Sequence, residues 1–190
     1  MIVSQMRVNS KGEWEACSAK PHHPDAGLAL VFWSDMDQNT VTTAIEALKT
    51  HCPKAIIVGC SSGGVVSGRT FLESAMTATL VSFKETGLES AVARLQDHAD
   101  IREMCRHLVS SLSRAGLSHV FVLSDGLAIN GCALASGLAE FLPSTVGITG
   151  GLAGDGERFE LTHILHKTEI MSGSVACLGF YGKTLEIGQG

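Results

Sequence analysis

The chain has 190 residues, 45% hydrophobic and 17% charged, with 21 Gly, 4 Pro and a formal net charge of −5. That is long enough for one sizeable core, or two small halves sharing one, and it is a globular composition rich in close backbone approaches. No basic cluster is available to neutralise phosphates and no apolar run is long enough to span a bilayer, so the reading is no nucleic acid and no membrane.

The start, MIVSQMRVNSKG, lacks a signal-peptide pattern, and residues 1–24 read as an N-terminal strand and loop, with His22-His23 exposed between two prolines. LALVFW (28–33) is a short apolar run and predicts a buried strand. In NTVTTAIEALKTHCP, Val41, Ala44, Ile45 and Leu48 share a helical face, with Asn39 as N-cap and Pro53 beyond the end. AIIVGC (55–60) is a second buried strand. SAMTATLVSF (74–83) and LESAVARL (88–95) predict two strands joined by a hairpin turn at Glu85-Thr86-Gly87. Asp100 and Glu103 form a capping-box pattern, and Ile101, Met104, Cys105, Leu108 and Leu112 make a helix face that Gly116 ends. HVFVLS (119–124) is another strand, and a helix from about Asn130 carries Leu134, Leu138 and Phe141. TVGITGG, FELTHILHK and SGSVACLGFYG complete the chain as strands.

Residues 34–53 align with 124–143 at a constant offset of 90: Ser34-Asp35 falls on Ser124-Asp125, Leu48 on Leu138 and Pro53 on Pro143. The expected fold class is therefore α/β, with mixed sheets, packed helices and two pseudo-repeated β-α-β-turn-β-β halves.

Gly59-Cys60-Ser61-Ser62-Gly63 matches the G-x-S-x-G pattern of a hydrolase nucleophile elbow. An elbow needs a helix after the serine, whereas VVSGRTF is β-branched and glycine-broken. The equivalent turn of the second half, GGLAGDG, has no nucleophile, so the turn reads as a binding turn, with a Ser61 hydrolase as the alternative. Glycine-rich turns can converge backbone N–H groups on an anion, yet no phosphate-loop pattern follows. Asp125 and Asn130 sit where a strand gives way to a helix, and Asn130 is equally a plain N-cap. Asp155 and Arg158 are either solvated or the orienting groups of a pocket. Among eight histidines, His163 and His166 lie three apart on a predicted strand and face opposite sides, which suits no shared metal. No metal ligand is assigned. Six cysteines without a C-x-x-C pair read as reduced thiols, Cys52 closing its helix, in a soluble cytoplasmic protein.

With GCSSGG, LSDGLAING and ITGGLAGDGERF in this order, the sequence resembles the N-terminal domain of the FIST (F-box and intracellular signal transduction) family, over residues 25–190. The resemblance implies a cytoplasmic sensory domain that binds a small molecule, an amino acid or related metabolite. It implies signalling to a partner such as a histidine kinase or cyclic-di-nucleotide enzyme. It also implies a C-terminal half that follows this domain in the family. One branch is similar to haem-based nitric-oxide sensors, which makes haem a candidate cofactor with no axial ligand assigned. The expected ligand site comprises Cys60, Ser61, Ser62, Gly63, Ser124, Asp125, Asn130, Gly150, Gly151, Gly154, Asp155 and Arg158, on turns that the repeat brings together.

Overall fold

The computed structural model describes residues 1–17 and 25–188; the His22-His23 pair and most of the loop in which it lies fall outside them. In chain order the elements are β1 (Ile2–Val8), β2 (Trp14–Ala16), β3 (Leu28–Ser34), α1 (Gln38–His51), β4 (Ile56–Ser61), β5 (Val65–Ser67), β6 (Thr70–Leu72), β7 (Ala75–Ser82) and β8 (Gly87–Arg94). They continue as α2 (Ile101–Ser110), β9 (Leu117–Ser124), α3 (Gly131–Phe141), β10 (Gly147–Leu152), β11 (Ile164–His166), β12 (Glu169–Met171) and β13 (Ser174–Tyr181). One sheet has the order β12-β11-β4-β3-β7-β1-β2, a second has β10-β9-β13-β8, and β5–β6 is a separate hairpin.

Side-chain alternation sorts these elements into four layers. On β3, Ala29, Val31 and Trp33 pack towards Val41, Ala44, Ile45 and Leu48 of α1. The alternate residues Leu28, Leu30 and Phe32 face the second sheet, where Leu178, Phe180 and Leu123 meet them. On β9, Val120 and Val122 turn to the helices α2 and α3, and Phe121 and Leu123 turn inward. A strand covered on both faces must be apolar throughout, which is why LALVFW and HVFVLS carry no alternation of polarity strong enough to show a solvent face.

The internal repeat is present in three dimensions. Strands β4-β3-β7-β1 of the large sheet correspond, in order and direction, to β10-β9-β13-β8 of the small one: β3 is parallel to β4 as β9 is to β10, and the other pairs are antiparallel. Helix α1 corresponds to α3, and hairpin β5–β6 to β11–β12, with Gly68 (φ 62) and Lys167 (φ 59) at the same left-handed turn position. Gly59 and Gly150 are equivalent too. A Cβ there would stand 1.9 Å from the carbonyl oxygen of Val31 and 2.0 Å from that of Val122, so each parallel pair closes only over glycine. The hairpins differ in destination. Three residues (62–64) connect β4 to β5, whereas eleven (153–163) connect β10 to β11 and let that hairpin cross to the edge of the other half's sheet.

Several expectations are corrected. Residues 85–87 make no hairpin turn: both edges of β7 are taken by β1 and β3, so β8 leaves for the second sheet and pairs with β13. The N-cap of α1 is Asp37, whose carboxylate accepts the Thr40 N–H at 2.9 Å, and not Asn39. The strand predicted over FELTHILHK begins only at Ile164, leaving His163 in a loop. The pattern at α2 holds: Asp100 accepts the Glu103 N–H, although the Glu103 carboxylate caps Ala99 rather than Asp100. Cys52 closes α1 as expected, fully buried with its thiol donating to the Leu48 carbonyl. No helix among the described residues is long and apolar enough to cross a membrane.

Candidate ligand cleft

A cleft of about 380 Å³ opens at the carboxyl ends of the parallel strands β3 and β4. Open α/β sheets place ligands there because the chain turns away to a helix on one strand and leaves a crevice beside it. Its wall comes from the β3–α1 loop, the end of β4, and the long loop 153–163 contributed by the second half.

Each of these segments is fixed by hydrogen bonds. Ser61, 6% exposed, accepts the His163 N–H on its hydroxyl at 2.9 Å, while its own N–H donates to the His163 carbonyl at 3.0 Å. Its carbonyl accepts the Gly154 N–H at 3.1 Å, which ties the two halves together where a Cβ on Gly154 would stand 3.5 Å from the Gly63 nitrogen. Ser62 donates its N–H to the Trp33 carbonyl at 2.8 Å and its hydroxyl to the Gly64 carbonyl at 2.8 Å. The Asp155 carboxylate gathers the N–H groups of Phe159, Glu160 and Leu161 at 2.9–3.0 Å. Those bonds, from Leu161 and Glu160 foremost, hold its carboxyl below the usual carboxylate range.

Arg158 and Asp35 meet across the mouth at 2.7 Å. Asp35 is left-handed (φ 48), as is Phe159 (φ 53) in the facing loop, and such backbone outliers gather where a loop must present a group in one direction. Asp35, Asp37, Asp155 and Glu160 set four carboxylates around the cleft against the single guanidinium of Arg158. His163 adds no charge at neutral pH, because burial pushes its pKa down despite the nearby Asp125 and Asp155. The floor is apolar, with Trp33, Val41 and Ile170.

Of the twelve residues singled out in the sequence, Ser61, Ser62, Asp155 and Arg158 share this cleft. Ser124, Gly150 and Gly151 line a second groove of about 270 Å³ between β10 and α3. Asn130 caps α3 by accepting the Ala133 N–H at 3.0 Å. Asp125 is buried and accepts the N–H groups of Leu127, Ala128 and Gly173. Burial pushes its pKa up, but these bonds and one from Thr162 outweigh it and leave the carboxyl below its ordinary value. Cys60 lies between the sheets, its thiol pushed up to about 12 by burial. Asp35, Asp37 and Trp33 were not among the expected site residues, and His163 was weighed as a metal ligand. A signal existed for Asp35, since Ser34-Asp35 aligns with Ser124-Asp125, of which only the second pair was carried forward.

The chemistry open to Ser61 is limited. Its hydroxyl is engaged by a backbone N–H, no histidine ring bonds it among the described residues, and strand β5 stands where an elbow requires a helix. Haem does not fit the cleft. At about 380 Å³ it stands near the small end of ligand pockets, about 300–1,000 Å³. Its rim carries four carboxylates where a haem's own carboxylates need cations, and its one arginine is held by Asp35. Among the described residues no cluster of three His, Cys, Asp or Glu could hold a metal ion.

Compared with known families, residues 27–190 match the model described as the FIST N domain. No curated protein matches the chain.

Proposed function

The chain belongs to the FIST N domain family, a sensory domain family of signal transduction, and from that premise we propose that the β3–β4 cleft binds a small ligand bearing a positively charged amine. The observation that carries this reading is the convergence of Asp35, Asp155 and Arg158, from both halves of the repeat, on one cleft with four carboxylates and one cation. An ammonium group supplies the positive charge that Arg158 alone does not give these carboxylates, and the apolar floor of Trp33, Val41 and Ile170 receives the rest of the molecule. Amino acids and related metabolites meet both requirements.

Ligand binding shifts a signalling equilibrium only if it favours one arrangement of the protein over another. The Arg158–Asp35 bridge supplies such a difference: an amine that takes Asp35 frees the Arg158 side chain, on the loop contributed by the second half, for a different contact. The receiver of that change is a partner such as a histidine kinase or a cyclic-di-nucleotide enzyme, with the family's C-terminal half as a further contact.

The test is a thermal-shift screen with amino acids, primary amines and their uncharged or anionic counterparts. A ligand at 100 times its Kd stabilises by about 2.7 kcal/mol, or about 5–11 °C at roughly 2–4 °C per kcal/mol. Asp35→Asn should abolish the shift while leaving the unliganded melt close to wild type, since the bridge it breaks is exposed. Equal shifts with anionic or uncharged compounds, or an undiminished shift in Asp35→Asn, would refute the reading. A haemin titration in the same buffer should give no stoichiometric Soret band.

A further inference from the structure

In the first half, the outer edge of β4 is covered by hairpin β11–β12. Ser61 N–H bonds the His163 carbonyl and Lys167 N–H bonds the Ile57 carbonyl, so residues 57, 59 and 61 point their backbone groups at that hairpin. Ile170 of the hairpin then packs on the core shared with α1. In the second half, the equivalent edge has no strand on it among the described residues. Ala153 N–H bonds the Ser124 carbonyl, so the alternate residues Ile148, Gly150 and Leu152 direct N–H and C=O groups outward from β10. Beside them lies the groove floored by Val122, Leu134, Leu138 and Ile148. Sheet edges left bare in this way are templates for another strand.

The repeat also identifies what fits. Hairpin β5–β6 is the counterpart of β11–β12, is joined to neither large sheet, and leaves Val66 56% and Phe71 61% exposed. Phe71 stands where the other hairpin has Ile170. Its tip carries Arg69, and α3, unlike α1 with Lys49 and His51, has no basic residue in its last turn. A hairpin docked on β10 in the equivalent register brings Arg69 towards the carbonyl end of α3, which complements the helix dipole. The chain's own hairpin is kept from that place by a three-residue connection and by Gln5, which donates to the Val66 carbonyl at 2.9 Å and accepts the Gly68 N–H at 2.8 Å. A short connection that holds an element off its own acceptor favours exchange between copies.

We infer that the β10 edge and its groove receive hairpin β5–β6 of a second copy of this chain, giving a reciprocally exchanged homodimer. In that dimer Val65 faces Gly151 as Ile164 faces Cys60, and Phe71 fills the groove over Leu134 and Leu138. The exchange gives up the two Gln5 hydrogen bonds, the Ser67–Cys17 contact and the burial of Val65 and Ser67 within their own chain, and gains a strand ladder and the burial of Val66 and Phe71 in each copy.

The experiment uses the full chain carrying Cys17→Ser and Cys132→Ser, to remove the more accessible thiols. Val65→Cys is placed in one preparation and Gly151→Cys, whose added atoms meet open space, in another. Under mild oxidation the mixture should yield a covalent dimer that neither variant forms alone. Sedimentation of the wild type should show a dimer that Phe71→Asp weakens about tenfold or more, with an unchanged circular dichroism spectrum. A wild type that stays monomeric with no mixed cross-link would overturn the inference. So would cross-linking of Gly151→Cys only with itself, which would mean that β10 meets β10. A monomeric chain carrying both substitutions and cross-linked within itself would equally overturn it, since the hairpin would then reach its own β10.

Discussion

Replacing Asp125 by Asn removes one charge from a buried carboxylate with almost no change of shape. The wild-type group is 2% exposed; one oxygen accepts the Leu127 and Ala128 N–H groups, each at 2.8 Å, and the other accepts Gly173 N–H at 2.7 Å. In the variant the amide oxygen keeps the first two bonds, and the amide NH2 then faces the Gly173 N–H as donor against donor. Losing a charge-assisted bond and leaving a buried donor unpaired costs about 2–3 kcal/mol. For a chain of this size that lowers Tm by about 4–12 °C, read by circular dichroism at pH 7. The pH dependence follows from a folded-state pKa held below 3.8. Stability from a depressed carboxyl is fully present above its unfolded value and is lost as pH falls through the folded one. The gap between wild type and Asp125→Asn should therefore be flat from pH 8 to 5 and shrink below about pH 4. A variant melting within about 1 °C of wild type at pH 7, or a gap unchanged at pH 3, would refute the hydrogen-bond argument.

Other consequences are as direct. Gly59→Ala and Gly150→Ala each drive a Cβ to about van der Waals overlap with a strand carbonyl and should cost about 3 kcal/mol or more in urea unfolding, whereas Gly151→Ala, facing open space, should be nearly neutral. Equal costs at all three would remove the strand-closure explanation. Burial pushes the thiols of Cys60 and Cys177 up to about 12 and Cys105 up to about 11. A chromogenic disulfide at pH 8 should therefore titrate exposed Cys132 at once and the other three only after denaturant is added.

The family match, the α/β class and the duplication were legible in the chain because they rest on local information. Apolar runs, helix periodicity and capping residues report their immediate neighbours, and α1, α2, β3, β4 and β9 fell where those signals put them. The glycine-rich turns also announced themselves, since a backbone that passes another within van der Waals contact can carry no side chain.

What the sequence did not contain was partner choice between distant strands. SAMTATLVSF and LESAVARL look like a hairpin from their spacing, yet they lie in different sheets, because β1 and β3 occupy both edges of β7. The same cause explains the site. Asp35 is an ordinary loop aspartate until the loop carrying Arg158 folds back from the second half, and Gly150 and Gly151 belong to a different groove because β10 lies in the other sheet. Residue types and short spacings determine which elements form. Which edges they share depends on chain crossings and on burial of both sheet faces at once, and only the tertiary structure decides that.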